Sequence, residues 1–177
     1  MDLNEYYDRL KARYSRWYDV SESPEDTECC DVDLRADYYV TGTKHMISKK
    51  IKLFEIEEAE YCFVKKFPRQ IDGGDVNHLT HTLERAVEDL VHPDKNHKRS
   101  VITGVMITDS GIDPEALKIA KSYKKVTNYN MMVFGWSEIR LVLVDVAGEK
   151  IYHNIKTNVA DKKYVKKLYD FFKTSAK

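Results

Sequence analysis

The chain has 177 residues, 42% of them hydrophobic, with 12 Tyr, 6 Phe and only 3 Cys. That is enough for one domain with a sizeable core, too little for two comfortable ones, and too apolar for a disordered chain. Lys+Arg and Asp+Glu are both 29, so the net charge is zero, which argues against binding nucleic acid through overall charge.

The charges are nevertheless segregated. Asp19, Glu22, Glu25, Asp26, Glu28, Asp31 and Asp33 fall together; Lys44, Lys49, Lys50, Lys52, Lys65, Lys66 and Arg69 make a basic centre. Lys162, Lys163, Lys166 and Lys167 add a basic C-terminal stretch, so a neutral total leaves room for a basic face. An odd cysteine count with Cys29 and Cys30 adjacent is no disulfide framework, which predicts a reducing compartment. No N-terminal signal region and no run of about 18 apolar residues occurs, so the expectation is a cytoplasmic protein without membrane contact.

In chain order, Leu3, Tyr6, Tyr7, Leu10, Tyr14 and Trp17 recur at helical spacing and predict a helix over 3–18. Residues 19–31 read as an acidic loop holding Cys29-Cys30, where a loop pair with no role is a plainer reading than metal or redox chemistry. Val32, Leu34, Ala36, Tyr38 and Val40 alternate with polar neighbours as in a half-buried strand, and Gly42 predicts a turn. A second strand falls in 44–57, Glu57-Glu58-Ala59-Glu60 reads as the next turn, and Tyr61–Phe67 as a third strand, giving an antiparallel meander. Asp72-Gly73-Gly74-Asp75 reads as a loop before a helix carrying Leu79, Leu83, Val87, Leu90 and Val91, stopped at His92-Pro93.

The stretch from Ser100 to Lys125 organises the rest. Val101, Ile102, Val105, Met106 and Ile107 suit a strand buried on both faces. Thr108-Asp109-Ser110-Gly111 turns, and Asp113 and Pro114 open a helix, with Ile112 and Leu117 placed as a hydrophobic staple. A helix between Tyr61–Phe67 and Val101–Ile107 makes those strands parallel. Tyr129–Phe134 and Ile139–Val146 read as further strands around a Gly135-Trp136-Ser137 turn, and Ala147-Gly148-Glu149 as a hairpin to Ile151–Ile155. A last helix over 159–174, capped by Asn158 or Asp161, buries Tyr164, Val165, Leu168, Phe171 and Phe172. The whole reads as a single α/β domain over 1–177: a mixed sheet with an antiparallel meander and a parallel strand–helix–strand crossover, helices flanking, and an α/β core over 32–155.

Segment 60–124 resembles the Mrr-type branch of the PD-(D/E)xK nuclease superfamily. There, a strand with a Q-x-K-R or E-x-K-like signature precedes a loop and helix, then a strand reading like VxVTxSGFxxEAxxxA. The second part is matched by Val105-Met106-Ile107-Thr108-Asp109-Ser110-Gly111-Ile112-Asp113-Pro114-Glu115-Ala116 and Ala120. The order helix, antiparallel meander, helix, strand, helix, strand is also that of the restriction-endonuclease-like fold, which the resemblance therefore implies. In these nucleases, strand carboxylates hold Mg²⁺ or Mn²⁺ and a lysine steadies the developing charge. Here Phe63-Val64-Lys65-Lys66 stands at the signature, so Lys65 is kept while Phe63 replaces the metal-side residue. A phenyl ring cannot ligate a metal.

Other candidates follow from spacing. Glu55, Glu57, Glu58 and Glu60 could supply relocated ligands beside Lys65, against the plainer reading of a solvated hairpin tip. Asp75, His78 and His81 recur every three residues and could hold a transition metal, although histidines more often decorate a helix start. Lys66, Thr108, Asp109 and Ser110 lie where open α/β sheets place ligands. The leading expectation is a nuclease-like fold without the standard metal site and without a cofactor, acting as a non-catalytic binding or accessory protein with a nucleic-acid partner at its basic face. The alternatives are a divergent Mg²⁺- or Mn²⁺-dependent nuclease of DNA or RNA, and a homodimeric or larger interaction domain joined through the final hairpin or the tyrosine-rich first helix.

Overall fold

A computed structural model describes residues 1–22, 31–45, 52–155, 166–167 and 170–173, with backbone alone for 41–45 and 52–56. A seven-stranded mixed sheet carries helices on both faces, and the chain forms a single α/β domain.

Helix α1 (Leu3–Tyr14) starts at Asp2, whose carboxylate accepts the Glu5 amide at 2.8 Å, and buries Leu3, Tyr6, Tyr7, Leu10 and Tyr14. It ends four residues short of the 3–18 prediction. The backbone turns over at Ser15–Trp17, and Trp17 is 75% exposed instead of continuing the apolar stripe. The acidic stretch then begins as an edge strand, β1 (Asp19–Glu22), antiparallel to β2 (Leu34–His45), where a loop was expected. Charged side chains suit an edge that must not recruit further strands. Cys29 and Cys30 lie outside the described residues.

Strand β2 pairs with β3 (Lys52–Phe67) along its length, which corrects two predicted turns. Gly42 sits opposite Ile56, and Glu57 to Glu60 sit opposite Thr41 to Tyr38, all within the ladder. The glutamates do not break the strand because the next strand neutralises them. Arg99 reaches Glu58 at 3.0 Å and Glu60 at 3.5 Å, and Lys98 reaches Glu58 at 2.6 Å. The Lys98 hydrogen bond leads the effects that hold the Glu58 carboxyl below its usual range, and Arg99 adds to it against the opposing pull of burial. The antiparallel set is therefore β1–β2–β3.

Asp72 and Asp75 form a reciprocal capping box, so the predicted 72–75 loop is the start of helix α2 (Gly73–Leu90). Helix α2 crosses to β4 (His97–Thr108), parallel to β3 with Phe63 opposite Gly104. Every residue from Ser100 to Thr108 is buried. Helix α3 (Pro114–Ser122) follows the predicted Asp113-Pro114 start, although the Asp113 carboxylate makes no cap hydrogen bond. Strand β6 (Trp136–Asp145) is parallel to β4 and flanked antiparallel by β5 (Lys125–Asn128) and β7 (Lys150–His153).

The predicted strand 129–134 is instead a tight loop. Asn130, Met131 and Met132 are left-handed (φ 46°, 52° and 71°), and Phe134 N–H closes the loop on Tyr129 O at 3.2 Å. The apolar letters there reflect exposure: Met131, Met132 and Val133 are 90%, 61% and 66% exposed. Trp136, expected in a turn, is the first residue of β6. Of the last helix, 166–167 and 170–173 are described as helical, with Phe172 buried and Phe171 half-buried. Asn158, Asp161, Tyr164, Val165 and Leu168 lie outside the described residues.

Strand alternation divides the core in two. Phe63, Ile102, Met106, Leu141 and Leu143 face α2 and α3; Val64, Val105, Ile107, Val142 and Val144 face α1 and Phe172. Cys62 lies on the α1 side, where burial pushes its thiol up to about 12. On β7, His153 is half-buried and its Nδ1 is enclosed without a hydrogen-bond partner. Burial holds this imidazole below the ordinary 6.5, against a backbone contact at Ile155. The unfolded chain therefore binds the proton more readily. The stability that depends on neutral His153 is complete above pH 6.5 and is lost as pH falls through the folded-state value. The urea midpoint is expected to drop between pH 7.5 and 5, and a His153→Gln variant to flatten that interval.

Candidate functional site

The carboxyl ends of β3 and β4 gather the largest set of predicted ligand residues. Alternation sends Lys65 toward α2 and Lys66 toward α1. Lys65 pairs with Asp31, whose second oxygen lies 3.3 Å from His78 Nε2 on α2. Asp33 accepts the Lys66 amide at 2.6 Å, and the Lys66 ammonium sits 4.2 Å from the centre of the Tyr7 ring. The Tyr7 hydroxyl donates to the Asp33 carbonyl at 3.0 Å. Burial, with Glu22, Asp33 and Asp8 nearby, pushes that phenol up to about 12, so it remains a donor at neutral pH.

Beside this pair, the Thr108 hydroxyl donates to Arg69 O at 2.8 Å and accepts the Ser110 amide at 3.0 Å. Ser110 Oγ in turn donates to Asp109 Oδ1 at 3.1 Å. Thr108 is fully buried and braces the turn; Asp109 is half-buried and Ser110 exposed. Arg69 is tied by two hydrogen bonds of 2.7 Å to Asp75. Burial alone would raise the Asp75 carboxyl, but the Arg69 fork and the Asp72 amide hold it below its usual value. This end of the sheet thus carries Lys65, Lys66 and Arg69, each already matched with an acid or an aromatic ring.

The predicted metal ligands are not brought together. Glu57 and Glu60 are three residues apart in one strand and so point to opposite faces. Glu60 faces α1, accepting from the Tyr18 hydroxyl at 2.9 Å, while Glu57 is exposed on the other side. Lys65 lies five residues beyond Glu60, roughly 17 Å along the strand, and about 26 Å beyond Glu57. The side chain of Glu55 is outside the description. Nor do Asp75, His78 and His81 share a face. Steps of three residues drift about 60° each on a helix, so the first and last diverge by about 120°. Asp75 is held by Arg69 and its cap, His78 turns to Asp31, and His81 is exposed. Among the described residues no group of three or more His, Cys, Asp or Glu side chains is placed to hold a metal ion. The described residues therefore do not fit Mg²⁺ or Mn²⁺.

Sequence reasoning missed Asp31, Asp33 and Tyr7, which complete the lysine end, and the ion pairs on the α1 face at the opposite end. There Arg99 bridges Glu58 and Glu60, and Arg140 pairs with Glu138 on β6. The available signal was Asp31-x-Asp33 directly before a strand that pairs with the Lys65-Lys66 strand. Among the described residues no helix is long and apolar enough to cross a membrane.

No curated protein and no solved structure matches the chain. One family model, described as a domain of unknown function (DUF8052), matches residues 2–171, and the chain belongs to that family.

Proposed function

We propose that the protein is a binding or accessory module on a nuclease-like scaffold, without metal-dependent cleavage, that contacts nucleic acid through the lysine end of its sheet. The succession α1, antiparallel β1–β2–β3, α2, β4, α3, β6, with the short edge strand β5 between α3 and β6, supports the scaffold reading, because apart from β5 it follows the order of the restriction-endonuclease-like core. One observation carries the loss of cleavage. Phe63, at the metal-side position of the signature, is 0% exposed and belongs to the core between β3 and α2. Lys65, the one retained signature residue, is matched by Asp31 instead of facing a metal-bound phosphate. Lys66, over the Tyr7 ring, and Arg69, held by Asp75, lie beside it and are the groups a phosphate would have to draw from their present partners.

Labelled single- and double-stranded DNA and RNA, titrated with Mg²⁺, Mn²⁺ or EDTA across a salt series, test this directly. Binding that weakens steeply with salt and no EDTA-sensitive cleavage is the expected result. Replacing Lys65 and Lys66 together by alanine should reduce affinity by about tenfold or more and flatten the salt slope. Cleavage that disappears with EDTA or with Glu57→Ala or Glu60→Ala would overturn the reading and revive a divergent nuclease.

Self-association finds less support in the first helix. Tyr6, Tyr7 and Tyr14 are 0%, 5% and 3% exposed and belong to the core of their own chain.

A further inference from the structure

At the amino end of β4, away from the lysines and independent of the nucleic-acid reading, His97 and Ser100 form a hydrogen-bonded pair. His97 Nδ1 lies 2.6 Å from the backbone carbonyl of Phe134, and Nε2 lies 2.9 Å from Ser100 Oγ. A carbonyl oxygen can only accept, so Nδ1 carries the proton in the neutral ring and Nε2 presents its lone pair to the serine hydroxyl. The ring is held further by the edge of Tyr129, with centroids 5.7 Å apart, and the Tyr129 hydroxyl is fixed to Ser137 Oγ at 2.8 Å. A hydroxyl on a base whose tautomer is set by a third group is the arrangement of an activated nucleophile.

The pair opens on a cleft of about 240 Å³ that also takes in Tyr39, Tyr61, Leu90 and His92. That is below the roughly 300–1,000 Å³ of drug-sized sites, so it suits a small group. Glu57, an exposed residue of its lining, disfavours an anion, while the Tyr39 and Tyr61 rings, 5.6 Å apart and edge to face, supply an apolar wall.

We propose that Ser100 is a nucleophile activated by His97 and takes small, uncharged acyl esters. As Oγ bonds to the carbonyl carbon, its proton passes to His97 Nε2. The bond from that carbon to the alkoxy oxygen then breaks, and the departing oxygen takes the proton and leaves as the alcohol. Water attacks the acyl-serine and gives one proton to Nε2. The carboxylic acid departs as the Oγ–carbon bond breaks, and Oγ recovers the proton.

An alkyl fluorophosphonate reads the first step, since Oγ bonds to phosphorus as fluoride leaves. Intact mass and peptide mapping of the folded full chain are expected to show one adduct per chain, at Ser100. It should be absent in Ser100→Ala and form at least tenfold more slowly in His97→Gln, with melting curves confirming that both variants fold. No adduct at Ser100, or an equal rate in folded His97→Gln, overturns the proposal. Should His97→Gln fail to fold, the wild-type labelling rate decides. A rate that levels off at neutral pH and falls toward acid supports the pair, whereas a rate that rises in proportion to hydroxide throughout overturns it.

Discussion

Replacing Phe63 by glutamate, the change that would restore an acid-x-lysine signature, is expected to unfold the protein and not to arm it. Phe63 is fully buried, its ring lying in the same cluster as Val76, Leu79, Leu83, Ile102 and Met106. Removing such a ring costs about 3–5 kcal/mol even when alanine takes its place. A carboxylate there adds several kcal/mol for leaving water without a partner. A cation on that side, the Arg35 guanidinium, stands 5.8 Å from the ring centroid but is engaged by Asp37 at 2.7 Å. Against a typical domain stability of about 5–15 kcal/mol, the sum removes most or all of it. Urea unfolding should show Phe63→Ala weakened by about 3–5 kcal/mol and Phe63→Glu without a cooperative transition at 25 °C. A folded Phe63→Glu with EDTA-sensitive cleavage would overturn both the energetics and the proposed loss of catalysis.

The second large effect is expected from Gly135→Ala, outside the hydrophobic core. Gly135 has φ 72°, and an added Cβ would fall 2.3 Å from the Lys98 carbonyl oxygen and 2.6 Å from its carbon. Those are backbone atoms of β4 and cannot swing aside as a leucine terminus can. Left-handed strain of about 1–3 kcal/mol and a clash of similar size give a loss of about 2–6 kcal/mol. The loop that carries the Phe134 carbonyl would move with it, so fluorophosphonate labelling of Ser100 should slow as well. Met132→Gly, three residues earlier at φ 71° and exposed, serves as the opposite case. It relieves the same kind of strain without a clash and should leave the urea midpoint level or raise it.

Those two positions also mark where local sequence informs and where it misleads. The segment from α2 through α3 was legible because its signals are local: a continuous apolar strand, an Asp-Pro helix start, a stripe at helical spacing. The turns predicted at Gly42 and at Glu57–Glu60 failed for a non-local reason. Arg99, some forty residues on, lies beside those glutamates only once β3 and β4 are paired in register. Tyr129–Phe134 failed differently, since apolar letters there fill a left-handed loop facing water. Lys66, Thr108, Asp109 and Ser110 lie at the carboxyl ends of β3 and β4, a position that follows from strand order alone. Asp31 beside Lys65, and Asp33 and Tyr7 beside Lys66, come from segments whose approach depends on the β2–β3 register and the docking of α1, neither of which leaves a mark in spacing. The His97–Ser100 pair lies three residues apart in a strand, and it forms because the pairing with β3 skips Lys98, between His97 opposite Glu57 and Arg99 opposite Glu58, so that His97 reaches the Ser100 side; the adjoining β5–β6 loop then fixes the ring through the Phe134 carbonyl.

The hydrogen bond from the Tyr6 hydroxyl to the Phe172 carbonyl, 3.0 Å long, joins residues 166 positions apart. With Phe171 against Tyr14 and Arg13, it lays the earliest and latest described helical segments on one side of the sheet. During synthesis that side is therefore finished last. A chain still on the ribosome can complete the α2–α3 side from residues already emerged, but holds Val142, Val144 and Val146 unsealed until Phe172 clears the exit tunnel. Truncation just before Phe171 should produce the same half-clad intermediate permanently, visible as a dye-binding, aggregation-prone species that a chaperone would retain.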